Sequence, residues 1–386
     1  MKKKNNYQKI SIFLLLFLLI SVFLRPGLLL YKLKANFFSP GYSKNYEDLH
    51  KLYYESQYVN KYNPSIIPDE TFESFVGGAF IRGVNPILIV HEHPPLGRYI
   101  IGLSTLLFDN ASTIIIPLIA VSILGVFLIA RLILKKTILA LIPLLIFINE
   151  SLFLSKFKYA PLLEPIQLPF IIFSIYFFIK GVLSKKSLNW FIASSVMLGF
   201  VISIRFFILG LAICASMIFF FILRWKADRK FIMYIFSLPF SILILILSYT
   251  KTIQEGYSVF QVFSIQKYIL FYHKSKLISF FSFWDLMLFN RWHTWWGDRR
   301  IISDSEWFIF WPFSIILTFL FFVFVLRKKM IFSVPEKIIF LWIFMYSLLL
   351  SVGNSTTRYF LPLVPFLYIL SVSFLIKLFR KINSKP

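Results

Sequence analysis

The 386-residue sequence has little charge, and least of all negative charge. Only 15% of its residues are charged, with 17 Asp and Glu against 41 Lys and Arg. Soluble domains carry about 25% charged residues and roughly 45–50% apolar ones. Here 58% of residues are hydrophobic, 20% are aromatic and mean hydropathy is +0.77. That composition excludes a soluble enzyme and implies an integral membrane protein. Cys214 is the single cysteine, so no internal disulfide can form and the redox compartment cannot be read. No small-residue cleavage site follows the basic stretch Met1–Lys9 and its apolar run; Arg25-Pro26 comes instead. The first helix is therefore expected to be retained. No glycine-rich nucleotide loop is evident, and His91-Glu92-His93 lacks the HExxH spacing of a zinc helix. No internal repeat of the kind that builds transporters stands out.

What is present is a series of long apolar runs. Backbone polar groups in lipid must be satisfied internally, so such runs are expected to be helices. The reading is an all-α polytopic membrane protein, one domain over 1–386, with ten spans. They fall near 10–30, 113–134, 137–153, 160–179, 188–203, 205–224, 231–250, 307–326, 337–352 and 359–378. Net charge is +24, which would suit a nucleic-acid partner if it were gathered on one surface. It is instead dispersed in short clusters between the runs, as membrane orientation requires, and no nucleic-acid partner is expected. With the N-terminus inside, the cytoplasmic pieces carry 22 Lys and Arg against Asp228 and Glu336 alone. The other side holds 19 basic residues and 15 acids. Both termini are then cytoplasmic, in what is expected to be the cell membrane. All five histidines and the pair Asp69-Glu70 are extracytoplasmic.

Two outer loops are long, 31–110 and 251–306. The first carries the polar centre of the chain. Pro68-Asp69-Glu70-Thr71 opens an amphipathic stretch, and 24 residues after Asp69 comes His93-Pro94-Pro95-Leu96-Gly97-Arg98. Acids at a helix start favour its dipole, so Asp69 and Glu70 have a plain structural use. A carboxylate at the bilayer surface can also act as a general base. The two prolines read as a rigid turn, which leaves the flanking His93 and Arg98 unexplained. Leu96–Phe108 is about a dozen residues of apolar pattern, too short for a span of roughly 20, and reads as an interfacial helix packed back on the bundle. Lys158, Glu164, Arg205 and Arg358 sit at span ends, where basic residues often only snorkel to headgroups. Ionisable residues near a span are nonetheless functional candidates. The tryptophans of the second loop read first as an interfacial belt.

These motifs, in this order, resemble the protein O-mannosyltransferase family of the GT-C membrane glycosyltransferases. The likeness rests on Asp69-Glu70 and His93–Arg98, then on Lys158–Pro165, Gly199–Arg205, Trp295-Trp296-Gly297 with Trp307–Pro312, and Arg358–Leu363. Departures are the long polar run Tyr42–Asn63, Arg at 98 where Lys is common, and a second outer loop too short for an extra β-rich domain.

The resemblance implies a GT-C-type bundle and transfer of a hexose, often mannose, from a polyprenyl-phosphate donor to an acceptor hydroxyl outside the membrane. It implies Asp69 and Glu70 as catalytic residues, with His93, Arg98, Lys158, Glu164, Arg205 and Arg358 binding donor phosphate or substrate. The acceptor is left open between protein, glycan and lipid, and a lipid or glycan transporter or flippase is the non-enzymatic alternative. No metal ligands are assigned; a divalent cation is not indicated, and no cofactor is certain.

Overall fold

The computed structural model describes residues 2–90, 92–224, 229–274, 279–294, 300–353 and 355–383. His91 and the Trp295-Trp296-Gly297 part of the aromatic motif lie outside them. Helices occupy the positions of the apolar runs, and among the described residues the one sheet is a two-residue ladder, Trp292–His293 against Ile301–Ile302.

Ten spans are expected from the runs; among the described residues four helical segments are by themselves long and apolar enough to cross. They are Ile115–Leu134, Leu163–Leu183, Ser187–Ile204 and Arg229–Ser248. A fifth arises if the bent pair Thr137–Asn149 and Ser151–Lys158, which turns by 54°, counts as one. Local sequence explains the difference. Polar Arg205 ends one helix, and its successor Ile208–Ile222 has 15 residues. Phe310–Leu326 and Val334–Leu350 have 17 each. The final run is interrupted by the 3-10 turn Thr357–Phe360 before Val364–Asn383. The first three are shorter than the roughly 20 residues a span needs, and the last has 20 but carries Lys377, Arg380 and Lys381 near its end.

Packing divides the chain into two compact units, each discontinuous in sequence. One comprises 1–32, 123–155 and 279–386. In it Thr137–Asn149 packs on Lys2–Lys32 and on Val364–Asn383, which also packs on Phe310–Leu326. Glu150 sits at the break of the bent pair and is fully buried. Two donors reach its Oε2: Trp311 Nε1 at 3.0 Å and the Tyr368 hydroxyl at 2.5 Å. A buried carboxyl demands such donors, because burying it bare costs several kcal/mol. Val334–Leu350 begins with a capping box in which Ser333 and Glu336 satisfy each other's backbone.

The other unit comprises 33–122 and 156–278. Its scaffold is the antiparallel pair Leu163–Leu183 and Ser187–Ile204, tied at depth by Ser174 and Ser194, whose hydroxyls each donate to the other's carbonyl. Against this pair lies the short helix Leu96–Phe108, and on it packs the helix Asp69–Ile81. They meet at glycines: a Cβ on Gly102 would stand 2.4 Å from the Gly77 carbonyl oxygen. The amphipathic helix Tyr42–Glu55 covers Asp69–Ile81 with aromatic rings, Tyr53 stacking on Phe75 at 4.6 Å. Asp109, which ends Leu96–Phe108 in the left-handed region, accepts the backbone N–H groups of Gly41 and Ser43 at 2.8 and 2.7 Å. The Ser43 hydroxyl donates to the same carboxylate at 2.6 Å, and that bond, with the backbone ones, fastens the start of the covering helix and holds the Asp109 carboxyl below the usual carboxylate range.

Candidate active site

The site is assembled in the second of these units. Pro68 is extended and ends the preceding loop; helix Asp69–Ile81 starts on the next residue with both acids in its first turn. Asp69 is exposed and Glu70 half-buried. Residues four apart share a helix face. Glu73 therefore lies one turn below Asp69, but buried. Its two oxygens take a bidentate fork from Arg98, Nε at 2.8 Å and Nη2 at 3.0 Å. Arg98 is 1% exposed and stands 5.4 Å from the centre of the Phe72 ring. Burial pushes the Glu73 carboxyl up, the Arg98 charge pulls it back, and the nearby charges of Asp69 and Glu164 push it up again.

Arg98 reaches this position because of the turn before it. Pro94 and Pro95 are buried, and helix Leu96–Phe108 begins immediately after them. Gly97 then lets the helix start sit on two others: a Cβ there would come within 2.7 Å of Leu163 and 2.9 Å of Ile204. The residues after those two contacts are Glu164 and Arg205, which pair at 3.0 Å with side-chain exposures of 5% and 15%. One glycine contact thus brings three distant motifs to one place.

A second polar group lies beside the Pro-Pro turn. The hydroxyl of Tyr272 donates to the Glu92 carboxylate. His273 Nε2 donates to the Glu92 carbonyl at 2.9 Å, and its ring stacks on His93 at 5.4 Å and tilts against Phe206 at 4.5 Å. Burial and the Glu92 charge push the Tyr272 phenol up, so it remains a donor. Helix Val259–Lys274 delivers both side chains. Among the described residues no three His, Cys, Asp or Glu side chains converge as a metal cage.

The residues expected from sequence are therefore distributed unequally. Asp69, Arg98, Glu164 and Arg205 come together, linked through Glu73. His93 joins the Glu92–His273 group. Arg98 is committed to Glu73, which gives it the work of fixing the two helices to each other. Lys158 is exposed at the end of Ser151–Lys158, its ammonium 5.1 Å from the Tyr159 ring centre. Arg358 belongs to the other unit, on the Thr357–Phe360 turn with its guanidinium 5.7 Å from the Tyr359 ring. Glu73, Glu92, Tyr272 and His273 were not picked out from sequence. Glu73 carries a signal, its i+4 spacing from Asp69. The partnership of Glu92 with residues 180 positions away carries none.

The fold is of the GT-C type. It is similar to the crystal structure of ArnT from Cupriavidus metallidurans bound to undecaprenyl phosphate, at 15% identity and TM-score 0.53 over 88% of this chain and 61% of that one. For the apo form of the same protein the values are 14%, 0.56, 89% and 61%. The archaeal oligosaccharyltransferase AglB from Archaeoglobus fulgidus aligns more loosely, at 12% identity and TM-score 0.47 over 89% of this chain and 51% of that one. The chain thus spans about three-fifths of the length of the ArnT structures. The resemblance read from the motifs holds: residues 92–250 match the family model of the dolichyl-phosphate-mannose-protein mannosyltransferases. That match takes in Glu92, His93, Arg98, Lys158, Glu164 and Arg205, while Asp69, Glu70 and Arg358 lie outside it. No curated protein matches the chain.

Proposed function

We propose that this protein transfers a hexose, in the first instance mannose, from a polyprenyl-phosphate donor to an acceptor hydroxyl at the extracytoplasmic face of the cell membrane. The observation that carries the reading is the convergence of an exposed acid, Asp69, with the buried Glu73–Arg98 pair and with Glu164–Arg205. A lipid-linked donor needs no nucleotide pocket. It needs a base for the acceptor and fixed cations for the departing phosphate.

The bookkeeping of the reaction is short. The acceptor oxygen forms a bond to the anomeric carbon as the bond from that carbon to the phosphate oxygen breaks. The acceptor proton passes to Asp69, and polyprenyl phosphate leaves as an anion. Asp69 is suited to the first task because it is exposed at a helix start that Glu73 and Arg98 hold rigidly. Glu70 is its neighbour; on a helix the two side chains point about 100° apart, so one of them meets the acceptor and Glu70 supports. For the second task Arg205, half-buried at the end of Ser187–Ile204, presents a planar fork suited to phosphate, and exposed Lys158 offers a point charge. Arg358 is carried as a further phosphate candidate on its own unit.

The test is transfer of label from undecaprenyl-phosphate mannose into protein, glycan or lipid fractions of membranes containing the full chain. Asp69→Asn keeps the shape and removes the base. Transfer is expected to fall by about 10²–10⁴-fold, the range for a positioned general base, with membrane insertion intact. An Asn variant that turns over normally where chemistry limits the rate would remove Asp69 from the mechanism.

A further inference from the structure

The polar stretch that precedes Asp69 has a definite construction. After helix Tyr42–Glu55 the chain turns at Ser56, which is fully buried. The Ser56 hydroxyl donates to the Tyr53 carbonyl at 2.6 Å and accepts the Tyr58 N–H at 3.3 Å. Gln57 then clips the returning strand. Its Nε2 donates to the Ile67 carbonyl at 2.9 Å, and its Oε1 accepts the Ile67 N–H at 3.0 Å. The loop is closed by its own side chains, and its returning end delivers Pro68 and Asp69.

Tyr58 leaves this clasp pointing at the catalytic helix. Its ring stacks on Phe72, one helical turn below Asp69, with centroids 4.0 Å apart and planes within 16°. That stack sets the phenol oxygen 3.5 Å from Asp69 Oδ1. The geometry points to Tyr58 as a positioning residue for Asp69: its hydroxyl donates to the carboxylate and fixes its rotamer. The inference rests on the reading of Asp69 as the general base and adds a residue from outside the family-matched segment.

The chemistry of the phenol agrees. The charged groups facing it are the carboxylates of Asp69, Glu92 and Glu73 and the Arg98 guanidinium. Burial and the three carboxylates push the phenol far above its ordinary range, and Arg98 offsets only part of this. It therefore stays protonated at any working pH and can only donate to a carboxylate. Distances at catalytic hydrogen bonds are often long before substrate is bound.

The experiment uses purified full-length protein in nanodiscs and reads Asp69 directly. Carbodiimide-coupled amine labelling is timed at a single pH, with Asp69 and Glu70 separated by peptide fragmentation. In Tyr58→Phe, which keeps the stack on Phe72, Asp69 should label roughly two- to tenfold faster at an unchanged Glu70 rate, as loss of a hydrogen bond implies. Replacing Tyr58 by 3-fluorotyrosine, nearly isosteric and a stronger donor, should slow it. This second variant keeps the test open if Tyr58→Phe does not fold. Identical Asp69 rates in all three proteins overturn the proposal. In Tyr58→Phe, kcat for transfer from undecaprenyl-phosphate mannose should fall by about the same factor, at unchanged KM for that donor. A rate that moves while Asp69→Asn keeps full transfer would sink the general-base reading and leave the Tyr58 bond standing as structure alone.

Discussion

Glu73–Arg98 and Glu164–Arg205 are each one carboxylate and one guanidinium, and both lie beside the same glycine contact. In the first pair the side chains are 8% and 1% exposed and the fork is bidentate. In the second they are 5% and 15% exposed and meet at 3.0 Å. The first pair holds two helices in register and commits its arginine to that task. The second keeps its arginine half-buried, where a phosphate can reach it. Burial of an ion pair adds little net stability but makes each partner indispensable to the other. A partly open pair can exchange one anion for another.

Arg98→Met should break the comparison most severely. It strands Glu73 as a buried carboxyl, and removing one partner of such a pair costs about 3–5 kcal/mol. Thermal unfolding of the solubilised protein measures it, and Glu73→Gln combined with Arg98→Met should recover part of the loss. An Arg98→Met protein of unchanged Tm but impaired donor use would mean that Arg98 binds substrate after all. Arg205→Gln should do the reverse. Loss of hydrogen bonds to a charged group, about 1.5–3 kcal/mol, predicts a roughly ten- to hundred-fold weaker use of undecaprenyl-phosphate mannose with little change in unfolding. Gly102→Ala places a methyl against the Gly77 carbonyl, which cannot yield like a side-chain tip. Overpacking of this kind costs about 1–3 kcal/mol. Because the same helices carry Glu73 and Arg98, Gly102→Ala should also slow transfer. Lys251→Ala is the control: its pair with Glu255 is exposed on both sides, and neither Tm nor transfer should move.

Much of this was legible in the sequence. Pro68 before two acids reads as a helix start, and the helix starts there. The length and pattern of Leu96–Phe108 set that helix to the residue. The burial of Arg98 was not legible, because an arginine after a polar turn looks solvent-facing until its partner is known. That partner, Glu73, lies in an apolar stretch where one acid could as well face water. Glu92 and His273 were hidden for a different reason: local pattern says nothing about pairing across 180 residues. The lengths of the individual helices were not legible, because hydropathy registers apolar runs and not the turns at Arg205 and Thr357–Phe360 that bound them.

Glu150 imposes an order of assembly. The chain inserts this carboxyl early, at the break between Thr137–Asn149 and Ser151–Lys158. Its two donors, Trp311 and Tyr368, are made more than 150 and 200 residues later. Until then the nascent chain holds a carboxyl whose native donors do not yet exist, and it must be sheltered by the insertion machinery or by water drawn to the bend. The unit made of 33–122 and 156–278 has no such debt, since its residues are all synthesised before Ser279. Ribosome-stalled chains ending before Phe310 should therefore crosslink to insertion factors at residue 150 and release them only when the last helix emerges. Premature termination within Val364–Asn383 would then expose the defect to membrane proteases at a site far from the lesion.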